Sequence, residues 1–420
     1  MNLPVIKEIK KFYIPDYQTI FLNNGISCHI LNVPDSEVIK MEVVFDAGRF
    51  YEKKHGVAKT TASLLKEGTE KYSSKEIAEN IDFYGASLST SATMDISLLQ
   101  LYTLEKYFDN IMPIVHDIIT EPSFNESELE KYKRRNIENL KIELSKNEVL
   151  AYRHLTEKIY GDNHPYGYNT QKEDYENIVR SDLIDHFTTN ITAQKTQIFI
   201  TGNINDGKVK TLNKYFCYLE NKNGLKEKDI SFDTGKTGSF TYSNNRQHQT
   251  SIRIGRRLFN RSHEDYPGMY LLNTILGGYF GSRLNANIRE DKGYTYGIYS
   301  MIDMMIKDGY FMISTDVGNE YLDNTLKEIH KEIDILKTEP VSGEELHLVK
   351  NYIKGNFLSM VNGPLHSSNL IKTIELSGLG KSFYSEFLNK IDSIDSNVII
   401  DLANKYLQKE SLTEIIVGAV

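Results

Sequence analysis

Two periodicities divide the chain. Segments 25–32 (GISCHILN) and 38–48 (VIKMEVVFDAG) are short apolar runs rich in β-branched residues, and they predict strands. Segment 86–104 (ASLSTSATMDISLLQLYTL) alternates apolar and polar positions and predicts a strand pair. Between them, 55–68 (HGVAKTTASLLKEG) and 74–85 (SKEIAENIDFYG) read as helices, the second closed by Gly85. Segments 106–120 and 125–161 also carry helical periodicity, with acidic residues near the start of the latter. Segment 195–204 (KTQIFITGNI) predicts a buried strand.

This order then recurs. A strand at 250–259 precedes a helix at 266–278 and a second helix at 282–293 that Gly293 ends. A hairpin over 294–318 turns at Lys307-Asp308-Gly309, and two long helices follow at 322–337 and 342–361. The halves close alike, near Gly202 and Gly418, about half the chain apart. We therefore expect an α+β fold built from a duplicated domain of about 200 residues. The expected boundaries are 1–222 and 241–420, with a polar linker at 223–240.

Composition narrows the function. The 420 residues carry a formal charge of -8 with acids and bases interspersed, which argues against a nucleic-acid footprint. No apolar run reaches the ~18 residues of a membrane helix, and the first residues lack the long apolar run of a signal peptide. The expected setting is cytoplasmic, without membrane association. Cys28 and Cys217 sit in apolar stretches and read as buried free thiols.

Three chemistries find little support. There is no G-x-x-x-x-G-K-[ST] loop and no G-x-S-x-G elbow. None of the eleven histidines lie three or four apart, so no helix presents two on one face for a metal. His164, in GDNHPYG, reads as a turn residue. One constellation is left, in 276–297 (LGGYFGSRLNANIREDKGYTYG). Gly277 and Gly278 read as a helix end, and Arg289 and Tyr296 stand either side of Gly293. A guanidinium and a phenol could together grip a carbonyl or a developing oxyanion. The competing reading is an Arg favourable to a helix C-terminus and a Tyr in a strand core.

The same stretch resembles the C-terminal signature of the M16 metallopeptidases, the insulinase and mitochondrial processing peptidase-like family. FDAGRFYEKKHGVA, LLKEGT, DNHPYGY, IFITGNI and YIKGNFL fall where that family has similar strings, over nearly the whole chain. The resemblance implies two homologous domains, each a mostly antiparallel sheet packed against helices. It also implies that Arg289 and Tyr296 form the family's R/Y pair, which holds the peptide and stabilises the tetrahedral intermediate. Its inverted zinc motif, H-x-x-E-H in G-L-A-H-F-L-E-H-M-L-F-K-G-T, aligns without a gap on GVAKTTASLLKEGT. Lys59 and Ser63 then take the two histidine positions and Ala62 that of the catalytic glutamate. The distant glutamate ligand falls near Asn139, with Glu138 and Glu143 close by. These residues cannot replace two imidazoles and a base, so no zinc or other cofactor is expected in this chain.

Some small family members work as two chains, one with the zinc motif and one with the R/Y pair. The resemblance thus implies a homologous H-x-x-E-H partner carrying the zinc, with a peptide as substrate. A structural or peptide-binding subunit without catalysis is the alternative. Whether the chain homodimerises when alone is open, and a homodimeric enzyme with another metal set is disfavoured by the histidine spacing.

Overall fold

The structure is a computed structural model that describes residues 13–220, 235–244 and 249–418. Strands β1 (Gln18–Phe21), β2 (Ser27–Asn32), β3 (Val38–Phe45), β4 (Ser87–Ala92), β5 (Ser97–Leu104) and β6 (Thr196–Gly202) form one sheet in the order β1-β2-β6-β3-β5-β4. Strands β7 (Gly238–Ser243), β8 (Gln249–Leu258), β9 (Thr295–Met304), β10 (Gly309–Gly318) and β11 (Thr413–Gly418) form a second, β7-β11-β8-β10-β9. Apart from β1 the two orders are the same topology. In each, the last strand of the half inserts parallel to the first and antiparallel to the second. All other pairings are antiparallel. The similar endings near Gly202 and Gly418 are therefore equivalent interior strands, and the edge strands β4 and β9 are equivalent too.

In the first half run α1 (Val57–Leu64), α2 (Ser74–Phe83), α3 (Phe108–Thr120), α4 (Glu126–Glu143), α5 (Asn147–Tyr160), α6 (Lys172–Asn177), α7 (Arg180–Asn190) and α8 (Asp206–Phe216). In the second run α9 (Tyr266–Leu276), α10 (Leu322–Thr338), α11 (Gly343–Met360), α12 (Pro364–Leu376), α13 (Phe383–Ser393) and α14 (Ser396–Tyr406). One face of each sheet packs on helices of its own half. Ile39, Met41, Val43 and Phe45 of β3 enter a core with Ile111, Val115 and Ile118 of α3, and Ile252 and Ile254 of β8 enter one with Leu272 and Ile275 of α9. Burying each such side chain is worth about 1.5–3 kcal/mol.

The opposite faces are exchanged between halves. Helix α5 lays Ala151, Leu155 and Ile159 over Tyr310, Met312 and Val417 of the second sheet. Helix α12 lays Ile371 over Leu31, Val44 and Phe199 of the first.

Several expectations change here. Segment 125–161 is two helices, broken at 144–146, because its second part leaves the first sheet and crosses to the other half. The buried Asn147 side chain anchors it by donating to the Gln249 carbonyl at 2.8 Å. Of the expected linker, 223–234 lies outside the described residues, whereas β7 already begins at Gly238 and pairs with β11. Cys28 is buried, but Cys217 is exposed at the end of α8. Among the described residues no helix is long and apolar enough to cross a membrane.

Candidate functional site

After α9 the chain makes two glycine-dependent moves. A Cβ on Gly277 would sit 2.5 Å from the Ser300 amide, and one on Gly278 2.7 Å from the Thr274 Cα. Gly277 lets the helix end press against β9 and Gly278 lets the chain turn closely over α9, which accounts for both without a phosphate. The next segment, expected as an ordinary helix, is a π-type turn over Asn285–Asp291. Such wide turns recur at functional sites because they displace a side chain from the regular helical face. One side of the turn is pinned: Leu284 and Ile288 are buried, and Asn287 donates to Glu328 (3.0 Å) and Glu332 (2.6 Å) of α10. Arg283 forms a bidentate pair with Glu345 of α11 at 2.9 and 2.8 Å.

Arg289 is on this turn, half-buried, with its guanidinium 4.7 Å from the centre of the exposed Phe280 ring. Gly293, at φ 66°, reverses the chain into β9. Tyr296 follows as the second residue of that strand. The β9–β10 register shifts between Thr315 and Val317, opposite Tyr296, and such bulges re-aim side chains. Tyr296 is 93% exposed. The strand-core reading of Tyr296 thus fails. Arg289 and Tyr296 do not bond each other, and among the described residues neither has a hydrogen bond or ion pair. Both donors are uncommitted, and Tyr296 stands on β9, the free edge of its sheet. That arrangement suits an extended peptide pairing with the strand edge while its carbonyl receives side-chain donors.

The other sequence-derived positions lie on the first half. Helix α1 packs against β4, β5, α4 and α7. Lys59 on it is exposed, Ala62 buried and Ser63 half-buried. Buried Tyr132 of α4 faces Thr60 and Ser63; burial raises its phenol pKa and those two hydroxyls oppose the rise. Asn139 and Glu138 are exposed farther along α4, and Glu143 is paired with Lys146 at 2.7 Å. A cation, a methyl group and a hydroxyl do not make a zinc site. Among the described residues no three His, Cys, Asp or Glu side chains converge on a metal-sized position. His164 is buried in its turn, where Nδ1 accepts from the Tyr166 amide at 3.0 Å and burial lowers its pKa to about 4.

Sequence reasoning did not single out Arg49, Glu52 or Tyr168. They bound a cavity of about 340 Å³ with Lys59 and the end of β4. The Glu52 carboxylate caps α1, accepting from the Gly56 and Ala58 amides at 3.2 and 2.8 Å. Burial raises its pKa to about 7, against those two bonds and Arg49. The acid four residues before Gly56 was the available signal, but a cap and a surface charge look alike in sequence.

Two family models match the chain: the insulinase (peptidase family M16) model at residues 30–171 and the peptidase M16 inactive domain model at residues 177–353. The chain is 24% identical over 395 residues to an uncharacterised zinc protease, YmxG, of Bacillus subtilis, covering 92% of this chain and 95% of that protein. It is 23% identical over 377 residues to the non-peptidase homolog YmxG of Helicobacter pylori, covering 86% and 84%. Its fold matches the crystal structure of a peptidase M16 inactive domain from Pseudomonas fluorescens with a TM-score of 0.89 at 21% identity, over 96% of this chain and 98% of that one.

Proposed function

Because the chain belongs to peptidase family M16, we propose that it is the non-metal subunit of a two-chain peptidase, supplying Arg289 and Tyr296 to a homologous H-x-x-E-H partner. The observation that carries this reading is a contrast within one molecule. Lys59, Ala62 and Ser63 leave α1 without a metal ligand or base, while Arg289 and Tyr296 are presented, uncommitted, on a π-type turn and a bulged edge strand. The metal and general base belong to the partner in this reading. The substrate is a peptide aligned along β9, with Arg289 gripping a backbone carbonyl and Tyr296 donating to the oxygen as it gains charge.

The chain alone then binds no zinc and cleaves nothing, and gains turnover when mixed with its partner. Tyr296→Phe or Arg289→Ala lowers kcat of the mixture by about 10²-fold or more, because each removes a donor felt chiefly in the transition state. Unchanged turnover in both variants refutes the assigned roles. The name of the Helicobacter pylori relative, a non-peptidase homolog, favours a second reading as a structural or peptide-binding subunit. In that case no zinc-bearing homologue confers peptidase activity on the mixture.

A further inference from the structure

The cavity beside α1 presents a charge problem that its own residues leave unsolved. Its walls include Arg49, Glu52, Lys59, Tyr168, the last residue of β4, Ala92, and Met94 just beyond it. The Arg49 guanidinium carbon stands over Tyr168, 3.4 Å from the ring centre, and burial lowers its pKa to about 10 against the pull of Glu52, Tyr152 and Asp174. Nε and Nη2 are shielded from solvent and have no hydrogen-bond partner among the described residues, and Nη1 reaches only the Met94 sulfur at 3.9 Å. The nearby carboxylates are committed elsewhere. Glu52 caps α1 with both oxygens, and Asp174 accepts from the Gln171 amide at 2.6 Å and faces His55 at 3.6 Å. Among the described residues, no carboxylate lies within ion-pair distance of Arg49. Lys59, a second cation on the same wall, has no ion pair there either.

A desolvated guanidinium without a counter-ion is costly, and an anion entering the cavity would relieve that cost. A planar carboxylate suits a guanidinium edge and a neighbouring ammonium. Strand β4 ends at this wall and is the free edge of its sheet, with one row of backbone groups open to another chain. We propose that the cavity beside Lys59 is a carboxylate site: Arg49 and Lys59 take an acidic side chain or the C-terminal carboxylate of a peptide extended along β4. The site is separate from Arg289 and Tyr296 and requires no zinc-bearing partner.

The test is fluorescence anisotropy with the full chain alone and three labelled extended peptides. One carries a central Glu and an amidated C-terminus, the second a Gln there and a free C-terminus, and the third a Gln and an amidated C-terminus. We expect at least one acid-bearing peptide to bind about tenfold or more tightly than the neutral one, and the responding arm identifies the carboxylate source. Lys59→Gln and Arg49→Met each reduce that preference severalfold, while binding of the neutral peptide is unchanged. Arg49→Lys, which keeps the charge and loses the fork, retains part of it. Because Lys59 is exposed, its substitution carries the test should Arg49→Met unfold the chain. Equal binding of all three peptides, no binding of any, or a preference that survives Lys59→Gln overturns the proposal. Activity of a mixed enzyme does not enter the readout, so this failure is distinct from failure of the peptidase-subunit reading.

Discussion

Glu42→Gln probes how the two halves are locked together. Glu42 is fully buried on β3, under α12 of the other half. Its carboxylate pairs with Lys40 at 3.0 Å and with Lys372 of α12, and accepts from Gln100 at 3.1 Å. Lys40 is itself buried and donates to Ser368 and Asn369 of α12 at 3.0 and 2.8 Å. Burial would raise the Glu42 carboxyl, but Lys372 and Lys40 more than offset it and hold its pKa below the ordinary value. Removing the negative charge leaves two ammonium groups facing each other in a dry interface, which typically costs about 3–5 kcal/mol. Lys40 has one escape, which is to lose its proton. From an ordinary pKa of about 10.4, doing so at pH 7 costs about 4.6 kcal/mol, which caps the penalty from that lysine near 5 kcal/mol. A neutral folded lysine has a pKa depressed below its unfolded value. Its contribution is therefore fully present above pH ~10.4 and lost as pH falls, so the penalty should shrink towards about 1 kcal/mol by pH 10. Urea midpoints of wild type and variant at both pH values check this. Replacing Lys40, Glu42 and Lys372 together by Met, Leu and Met should recover most of the loss, since a packed apolar cluster needs no counter-ion. An unchanged midpoint for Glu42→Gln, or a penalty independent of pH, refutes the reasoning.

His186 should stay neutral in the folded chain at pH 5. Its Nε2–H donates to the Ala47 carbonyl at 3.0 Å, and Nδ1 accepts from Asn190, whose amide is oriented by Lys195 donating to its Oδ1 at 2.7 Å. Burial lowers its pKa to about 4, so its stabilising contribution is present above pH ~6.5 and lost as pH falls towards 4. An imidazole NMR resonance titrating near 6.5 would contradict this. In the native chain a thiol reagent should modify Cys217 rapidly and leave Cys28 untouched, because burial pushes the Cys28 thiol up to about 12. Mass spectrometry after brief alkylation reads the two sites separately, and equal labelling would be inconsistent with the burial of Cys28.

The duplicated plan was legible because it rests on local signals. Gly85 and Gly293 both end helices at positive φ, and strand alternation and the paired endings near Gly202 and Gly418 repeat in each half. The vacant α1 was equally plain, since ligand chemistry is a matter of residue type: Lys59, Ala62 and Ser63 cannot hold zinc wherever the chain folds. The sequence also singled out Arg289 and Tyr296, with a helix-end Arg and a core Tyr as the competing reading. Their presentation depends on the π-type turn and on the bulge opposite Asp316, both set by hydrogen bonds from α10, α11 and β10 that lie far away in sequence. The boundary within 125–161 failed for a related reason, because helical periodicity continues through a break whose second part answers to the other sheet.

The sequence by itself determined most of the strands and helices outside 125–161 and 282–293, the twofold plan and the chemistry missing from α1, all of which follow from residue type and spacing along the chain. Tertiary structure alone decided what covers each exchanged face. In VIKMEVVF the short apolar run marks a strand and nothing more; it is α12, more than three hundred residues on, that turns Lys40 and Glu42 from surface charges into a buried pair. The same holds for Arg49, whose lack of a partner comes from Glu52 and Asp174 being spent on α1 and on the Gln171 turn. Burial and partnership are properties of the assembled volume, and one-dimensional periodicity carries no record of them.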